Sequence, residues 1–407
     1  KKAMSASDEA RIKYASKYAG SSNYWKNSIG MNKGLARLDV VARKEALEEE
    51  FANWVAKDPK RQEKYGEVFS LLKNGYTSSN EIVNARTYLM ETLLSGTEIT
   101  RLARMINSFD AKGSTDEDRK VFMEDRVLPF FKDYEPRLDQ EVLGAMLAIA
   151  KVRVPAQYLP EIYQKIDKKY KGDYKKYAAD LFKKTQLLSL DKVEEFLSNP
   201  NLSKKLAKDP AVELAESVFT AFMDIYQNGN KASFDIDKGE RLFLEGLMEM
   251  NPDKTYYSDA NFTMRLSYGS IGGYRPYDAG WYDYFSTHKG ILEKEDPEND
   301  EFWVQEEILD LIRSKDFGQY ANENGDLQLC FLTNNDITGG NSGSPIFDKN
   351  ARLIGLAFDG NWEAMSGDIA FEPELQRCIG VDIRYVLFMI DKWGKCPRLI
   401  EELKLVK

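Results

Sequence analysis

From about residue 33 to 250, apolar positions recur at helical spacing, and each stripe is closed by Gly, Asn or Pro, which predicts helix after helix. Between Asp209 and Asn228, Ala215, Phe219, Phe222 and Tyr226 share one face, flanked by Leu214, Val218 and Ile225, and Gly229 is placed to stop that helix. Val142, Leu143, Met146, Leu147 and Ala150 repeat the pattern, while Glu81 to Ser108 has the length for two helices or one extended helix. No repeat of fixed period links these stripes, so an irregular helical domain is expected rather than a solenoid.

After about residue 253 the pattern changes to short apolar runs divided by Gly, Asn and Asp. Strands are predicted at Asn261–Tyr268, Leu327–Thr333, Pro345–Phe347 and Arg352–Phe358, a barrel or sandwich composition. Asp348-Lys-Asn350 reads as the hairpin turn between the last two, with Asn350 available for the left-handed conformation. A helix over Ile383–Trp393, closed by Gly394 and Pro397, is expected to pack back on the sheet. The predicted organisation is α+β: a large helical domain over 1–255, then a β-rich domain over 256–407 that carries the terminal helix.

Composition narrows the chemistry. A chain of 407 residues exceeds the roughly 250–300 at which a single core stops growing, so two domains are expected. A net charge of −9 repels polyphosphates and anionic lipid, which argues against a nucleic-acid partner. No apolar run approaches the ~20 residues that cross a bilayer, and the stretch Lys1 to Glu9 lacks the apolar centre of a secretory signal, so a soluble chain is expected. Cys330, Cys378 and Cys396 form no CxxC pair, and they are read as small hydrophobes rather than zinc ligands or a disulfide framework. His288 is the single histidine, so imidazole-based metal sites and mechanisms needing two histidines within this chain are excluded. Glu293, Glu295 and Asp296 are read as carboxylates solvating a loop, and no metal or other cofactor is expected. The aromatic residues Tyr256, Tyr257, Tyr274, Tyr277, Trp281, Tyr282 and Tyr284 are assigned to core packing and domain contact.

One segment carries chemistry. Gly339-Gly-Asn-Ser-Gly-Ser-Pro345 lies between two predicted strands. A nucleophilic serine must stand on a tight turn whose amides converge on one point, because a tetrahedral oxyanion needs preorganised donors, and glycine permits such a backbone. The N–H groups of Gly340 and Ser342 are the candidate donors. By themselves, these seven residues fit an ordinary hairpin loop equally well.

The surrounding sequence decides between those readings. Arg265-Leu-Ser-Tyr-Gly269, Gly290-Ile-Leu-Glu-Lys-Glu-Asp-Pro297, Phe331-Leu-Thr-Asn-Asn-Asp-Ile-Thr-Gly-Gly-Asn-Ser-Gly-Ser-Pro345 and Gly355-Leu-Ala-Phe-Asp-Gly-Asn-Trp-Glu-Ala-Met-Ser-Gly-Asp368 together resemble the bacterial dipeptidyl-peptidase 7 and dipeptidyl-peptidase 11 family of trypsin-fold exopeptidases. Tyr18-Ala-Gly-Ser-Ser-Asn-Tyr-Trp-Lys-Asn27 is similar too, so the resemblance spans nearly the whole chain.

What the resemblance implies is a chymotrypsin-like double barrel with an inserted helical domain, of which this chain holds one barrel half and the insertion. It implies Ser342 as nucleophile, with the histidine and aspartate of the triad lying upstream of residue 1, and hence a nearly inactive fragment. It implies that Asp359 holds the substrate's free amine, with Asn23 or Asn27 as a second ligand and Asn23 favoured. Gly360 stands where acid-selective relatives carry an arginine, which implies an open, uncharged pocket for an aliphatic or aromatic second residue. His288 falls where the relatives place no catalytic base and is read as a surface or loop residue. The implied partners are peptides with a free N-terminus and a second copy of the chain, and the implied location is the periplasm or cell surface of a Gram-negative bacterium. A non-catalytic module that binds peptide N-termini is the alternative.

Overall fold

A computed structural model describes residues 4, 7–109, 113–198, 203–257, 263–299 and 301–406. By their contacts these form two units, Lys1–Ser21 with Glu50–Lys254, and Ser22–Glu49 with Thr255–Lys407. Ser22–Glu49 is thus grouped with the β-rich part of the chain.

The first unit is helical. Its core gathers one apolar stripe from each of several helices, including Leu89, Leu93, Ile99, Leu102, Leu143, Leu147, Ile166, Leu181 and Val218. Glu81 to Ser108 divides into two helices, Val68–Leu89 and Glu98–Asn107, separated by a π turn at Met90–Leu94. The stripe beginning at Asp209 differs from its prediction, because the helix runs unbroken from Pro210 to Met250, through Gly229. An interior glycine costs only about 1 kcal/mol relative to alanine, and Leu242, Phe243, Leu247 and Met250 beyond it pack on Phe51, Val55, Tyr65 and Val68. Packing outweighs that local penalty. Asp209 starts the helix, its carboxylate accepting from the Ala211 amide at 2.9 Å, with Pro210 in the first turn.

Asp139 caps a helix other than its own. Its carboxylate accepts from the amides of Glu98 and Ile99 at 2.8 and 2.6 Å and from the Tyr134 hydroxyl at 3.0 Å, all at a site only 2% exposed. Burial outweighs these three donors and pushes the carboxyl up to about 6 from its ordinary 3.8. A carboxyl with a higher pKa folded than unfolded takes up its proton in the folded state. Its contribution to stability is therefore complete below about pH 4 and is lost as pH rises through about 6. Relative to Asp139→Asn, which cannot titrate, the wild-type protein is expected to lose about 2 kcal/mol between these limits, measured by urea unfolding at each pH.

The second unit is built on one antiparallel sheet: β1 (Phe285–Thr287), β2 (Gln328–Thr333), β3 (Pro345–Phe347), β4 (Leu353–Gly360) and β5 (Cys378–Asp382), in the order β1-β2-β5-β4-β3. Glycines in two strands make room for one large side chain. The Phe331 ring of β2 approaches to 2.7 Å of where a β-carbon on Gly355 would stand and 2.9 Å of the same point on Gly380. The helix Ile383–Phe388, continued by a π turn over Met389–Trp393, packs Leu387 and Phe388 on Phe317, Tyr320 and Leu327, as the terminal stripe predicted.

Several expectations are corrected here. Residues 263–268 form no strand, and Asn261 and Phe262 of that prediction lie outside the described residues. The left-handed position of the β3–β4 turn is Ala351, with φ 58°, and not Asn350. The Asp348 carboxylate accepts from the amides of Asn350 and Arg352 at 2.8 and 2.9 Å, and this moves the turn one residue on. Of the aromatic cluster only Tyr274 is buried, and Tyr257, Tyr277, Trp281, Tyr282 and Tyr284 are exposed, which removes core packing as their explanation. Cys378 is buried as a small hydrophobe, but Cys330 is half-buried and Cys396 exposed.

Candidate active site

Ser342 stands exposed on the loop between β2 and β3, flanked by Gly340 with φ 100° and Gly343 with φ 81°. A β-carbon at either glycine would meet nothing within 4 Å, so it is the left-handed backbone and not crowding that calls for glycine. Most nearby amides are committed. Asn341 donates to the Thr338 carbonyl, Gly343 to the Ala357 carbonyl at 2.7 Å, and Ser344 to the Asn341 carbonyl. Among the described residues the N–H groups of Gly339, Gly340 and Ser342 donate no hydrogen bond. The two amides proposed from sequence as oxyanion donors are thus available, on a loop held by its other amides. Arg265, to which the sequence assigned no role, donates to the Asn341 side-chain oxygen at 3.1 Å, and that oxygen also accepts from the Thr338 amide at 3.0 Å.

β4 carries the opposite wall. Its pairing with β5 slips between Ala357 and Asp359, leaving Phe358 as the extra residue of a bulge. The Phe358 carbonyl lies 3.5 Å from the Ser342 hydroxyl, so the residue beside the bulge, Asp359, follows directly on the one that faces the serine. Asp359 is exposed, and one of its carboxylate oxygens accepts from the Gly360 amide at 2.8 Å. The other oxygen accepts no hydrogen bond among the described residues.

The space beside Gly360 is bounded rather than open. A β-carbon there would stand 2.9 Å from Cβ of Ala364 and 3.5 Å from Cε of Met365. Both belong to the 3-10 turn Trp362–Ser366, which Asn361 caps by accepting from the Ala364 amide. Asn23 and Asn27 lie one turn apart on the helix Asp8–Arg37. Asn23 is exposed, whereas Asn27 is half-buried and donates from Nδ2 to the Met365 sulfur at 3.4 Å.

His288 lies on the turn between β1 and the helix Lys289–Lys294, but it is not a surface residue. It is 1% exposed, with its ring 4.7 Å from that of Phe317, and Nδ1 accepts from the Leu327 amide at 3.4 Å. Burial lowers its pKa, leaving a neutral core imidazole with no hydrogen bond to Ser342 among the described residues.

The family model for peptidase S46 matches residues 1–405. The chain belongs to this family. Dipeptidyl-peptidase 7 of Porphyromonas gingivalis is 56% identical over 410 residues, which cover 100% of this chain and 57% of that protein. The Asp/Glu-specific dipeptidyl-peptidase of the same organism is 34% identical, over 99% of this chain and 56% of its own length. The crystal structure of Porphyromonas endodontalis DPP11 in complex with the dipeptide Arg-Glu superposes with a TM-score of 0.84 at 31% identity, covering 98% of this chain and 57% of that one. The chain therefore spans little more than half the length of the relatives it matches, and among its described residues no helix is long and apolar enough to cross a membrane.

Proposed function

We propose that this chain carries the nucleophile and part of the substrate site of a serine dipeptidyl-peptidase that releases N-terminal dipeptides with a hydrophobic second residue. The observation that carries the proposal is the loop around Ser342: an exposed hydroxyl with the uncommitted amides of Gly340 and Ser342 on the same turn. Attack by the Ser342 hydroxyl on the peptide carbonyl would place negative charge on an oxygen that these amides can receive. The proton must pass to a base, and with His288 enclosed in the core, the histidine and aspartate of the triad are assigned to a part of the protein outside this chain. In that arrangement the five-stranded sheet is one barrel half of a chymotrypsin-like pair.

Cleavage after two residues requires the substrate's ammonium group to be held at a fixed stride from Ser342. The free oxygen of Asp359 suits it, with Asn27 or Asn23 supplying a second acceptor. The preference for a hydrophobic second residue rests on the absence of charge at Gly360 and the apolar walls Ala364 and Met365. Names of relatives support the activity class, and the DPP11 complex supports dipeptide binding at this fold. The family resemblance is the ground for a homodimer in the periplasm or at the cell surface. Incubating the intact protein with a fluorescent fluorophosphonate, followed by peptide mapping, is expected to label Ser342. An intact protein that stays unlabelled and releases no dipeptide is the result expected of a module that only binds N-termini.

A further inference from the structure

We propose that Met365 is a positioning and specificity-determining residue, joining Asn27, one of the two asparagines proposed to hold the substrate amine, to the pocket beside Gly360. The inference rests on the peptidase reading above and adds a role for a side chain outside the nucleophile loop. Met365 meets three residues on two elements, the helix Asp8–Arg37 and β4. Its sulfur accepts from Nδ2 of Asn27 at 3.4 Å, its methyl end lies 3.5 Å from the β-position of Gly360, and its Cγ and Cβ stand 2.6 and 2.9 Å from where a β-carbon on Gly30 would be. The last contact makes the arrangement rigid. Those two atoms are the near end of the side chain, so Met365 cannot swing clear of an enlarged residue 30.

One turn further along the helix, Gly34 meets Ser366 in the same way, with its β-position 2.7 Å from the serine Cβ, and Ser366 is 1% exposed. Further contacts tie the helix Asp8–Arg37 to the turn Trp362–Ser366 and to Pro276. Lys33 Nζ lies 5.6 Å over the Trp362 ring, an Arg37 nitrogen lies 3.9 Å from Glu363, and Arg37 also donates to the Pro276 carbonyl. On its own element, Asn361 anchors the turn by donating to Glu363 at 3.0 Å and to the Leu375 carbonyl at 2.9 Å.

The chemistry follows from which end of Asn27 is engaged. With its Nδ2 directed at the sulfur, Oδ1 accepts no hydrogen bond among the described residues and is the end of the amide able to accept from a cationic amine. A thioether is soft, weakly accepting and flexible at its far end, so its methyl group can close the pocket against side chains of different size. One residue thereby sets both the orientation of the amine ligand and the depth available to the substrate's second side chain.

The test uses the intact protein and chromogenic dipeptidyl substrates whose second residue is Ala, Leu or Phe. Met365→Ala is expected to raise KM roughly tenfold for every substrate, through loss of the amine ligand's orientation. It should also shift the ratio of kcat/KM for Phe over Ala roughly tenfold toward Phe by deepening the pocket. Met365→Leu keeps apolar bulk but removes the sulfur, so it is expected to raise KM while leaving the Phe-to-Ala ratio near wild type. Gly30→Ala, which pushes on Met365 from the helix side, is expected to raise KM with little change in kcat, and it serves if Met365→Ala does not fold. Folded variants with wild-type KM and wild-type Phe-to-Ala ratio would overturn the assignment of Met365 while leaving the peptidase reading intact. A wild-type protein that neither labels at Ser342 nor releases dipeptides overturns the peptidase reading itself.

Discussion

Replacing Ser342 by alanine in the intact protein is expected to lower kcat for dipeptide release on the order of a million-fold, while a product dipeptide still binds with nearly wild-type affinity. The size follows from the way a nucleophile and its base act as one unit, so that losing either removes the covalent path and leaves only what the oxyanion donors and binding groups contribute. Those contributions survive in Ser342→Ala. The amides of Gly340 and residue 342 belong to the main chain, Asp359 lies on β4, and the loop is held by Gly343 on Ala357 and by Arg265 on Asn341. Single-turnover kinetics and calorimetric titration of the dipeptide measure the two halves. A drop smaller than about a hundredfold places the nucleophile elsewhere, and lost binding together with lost turnover points to a collapsed loop.

The largest effect on stability is expected at Arg377. It is 7% exposed, yet no carboxylate lies within salt-bridge distance of its guanidinium among the described residues. The guanidinium instead donates to the main-chain carbonyls of Gly272, Gly273, Pro373, Glu374 and Gln376, at 2.6 to 3.3 Å. Five donors in a planar fork suit such a set of acceptors, and no other side chain offers them. Arg377→Met leaves those carbonyls without their donor and is expected to cost about 3 to 5 kcal/mol, read as a lowered urea midpoint. Arg377→Lys is expected to recover only a minor part, since one ammonium cannot reach carbonyls on both 272–273 and 373–376. A midpoint for Arg377→Met equal to wild type is the outcome that removes this account.

Much of the secondary structure is legible in the chain because it depends on local periodicity. The stripe at Val142–Ala150, the strands Pro345–Phe347 and Gln328–Thr333, and the terminal helix stand where apolar spacing places them. Errors arise where distant packing overrides a local signal. Gly229 does not stop its helix, because the residues beyond it have the Phe51 and Tyr65 cluster to pack on. His288 is drawn into the core by Phe317 and Leu327, which lie 29 and 39 residues further along. The 264–268 run alternates like a strand but forms none, and Met264, Leu266 and Tyr268 are left exposed.

At the site, the glycine-bracketed serine is legible because a turn with positive φ demands particular residues in a particular order, and that demand is local. Asp359 and Gly360 stand out in sequence only through family resemblance. The bulge at Phe358 that brings their strand to the serine is a slip in pairing between β4 and β5, which no single strand encodes. The contacts of Met365, Arg265 and Arg377 were missed altogether, although the Gly30 and Gly34 spacing is a sign of close helix packing. What the sequence by itself determined is therefore the helical and β-rich parts, the glycine-bracketed turn around Ser342 and the family. Only the tertiary structure decided which amides stay uncommitted, which asparagine meets Met365 and what bounds the space beside Gly360, because each depends on residues far apart in the chain being packed within a few ångströms.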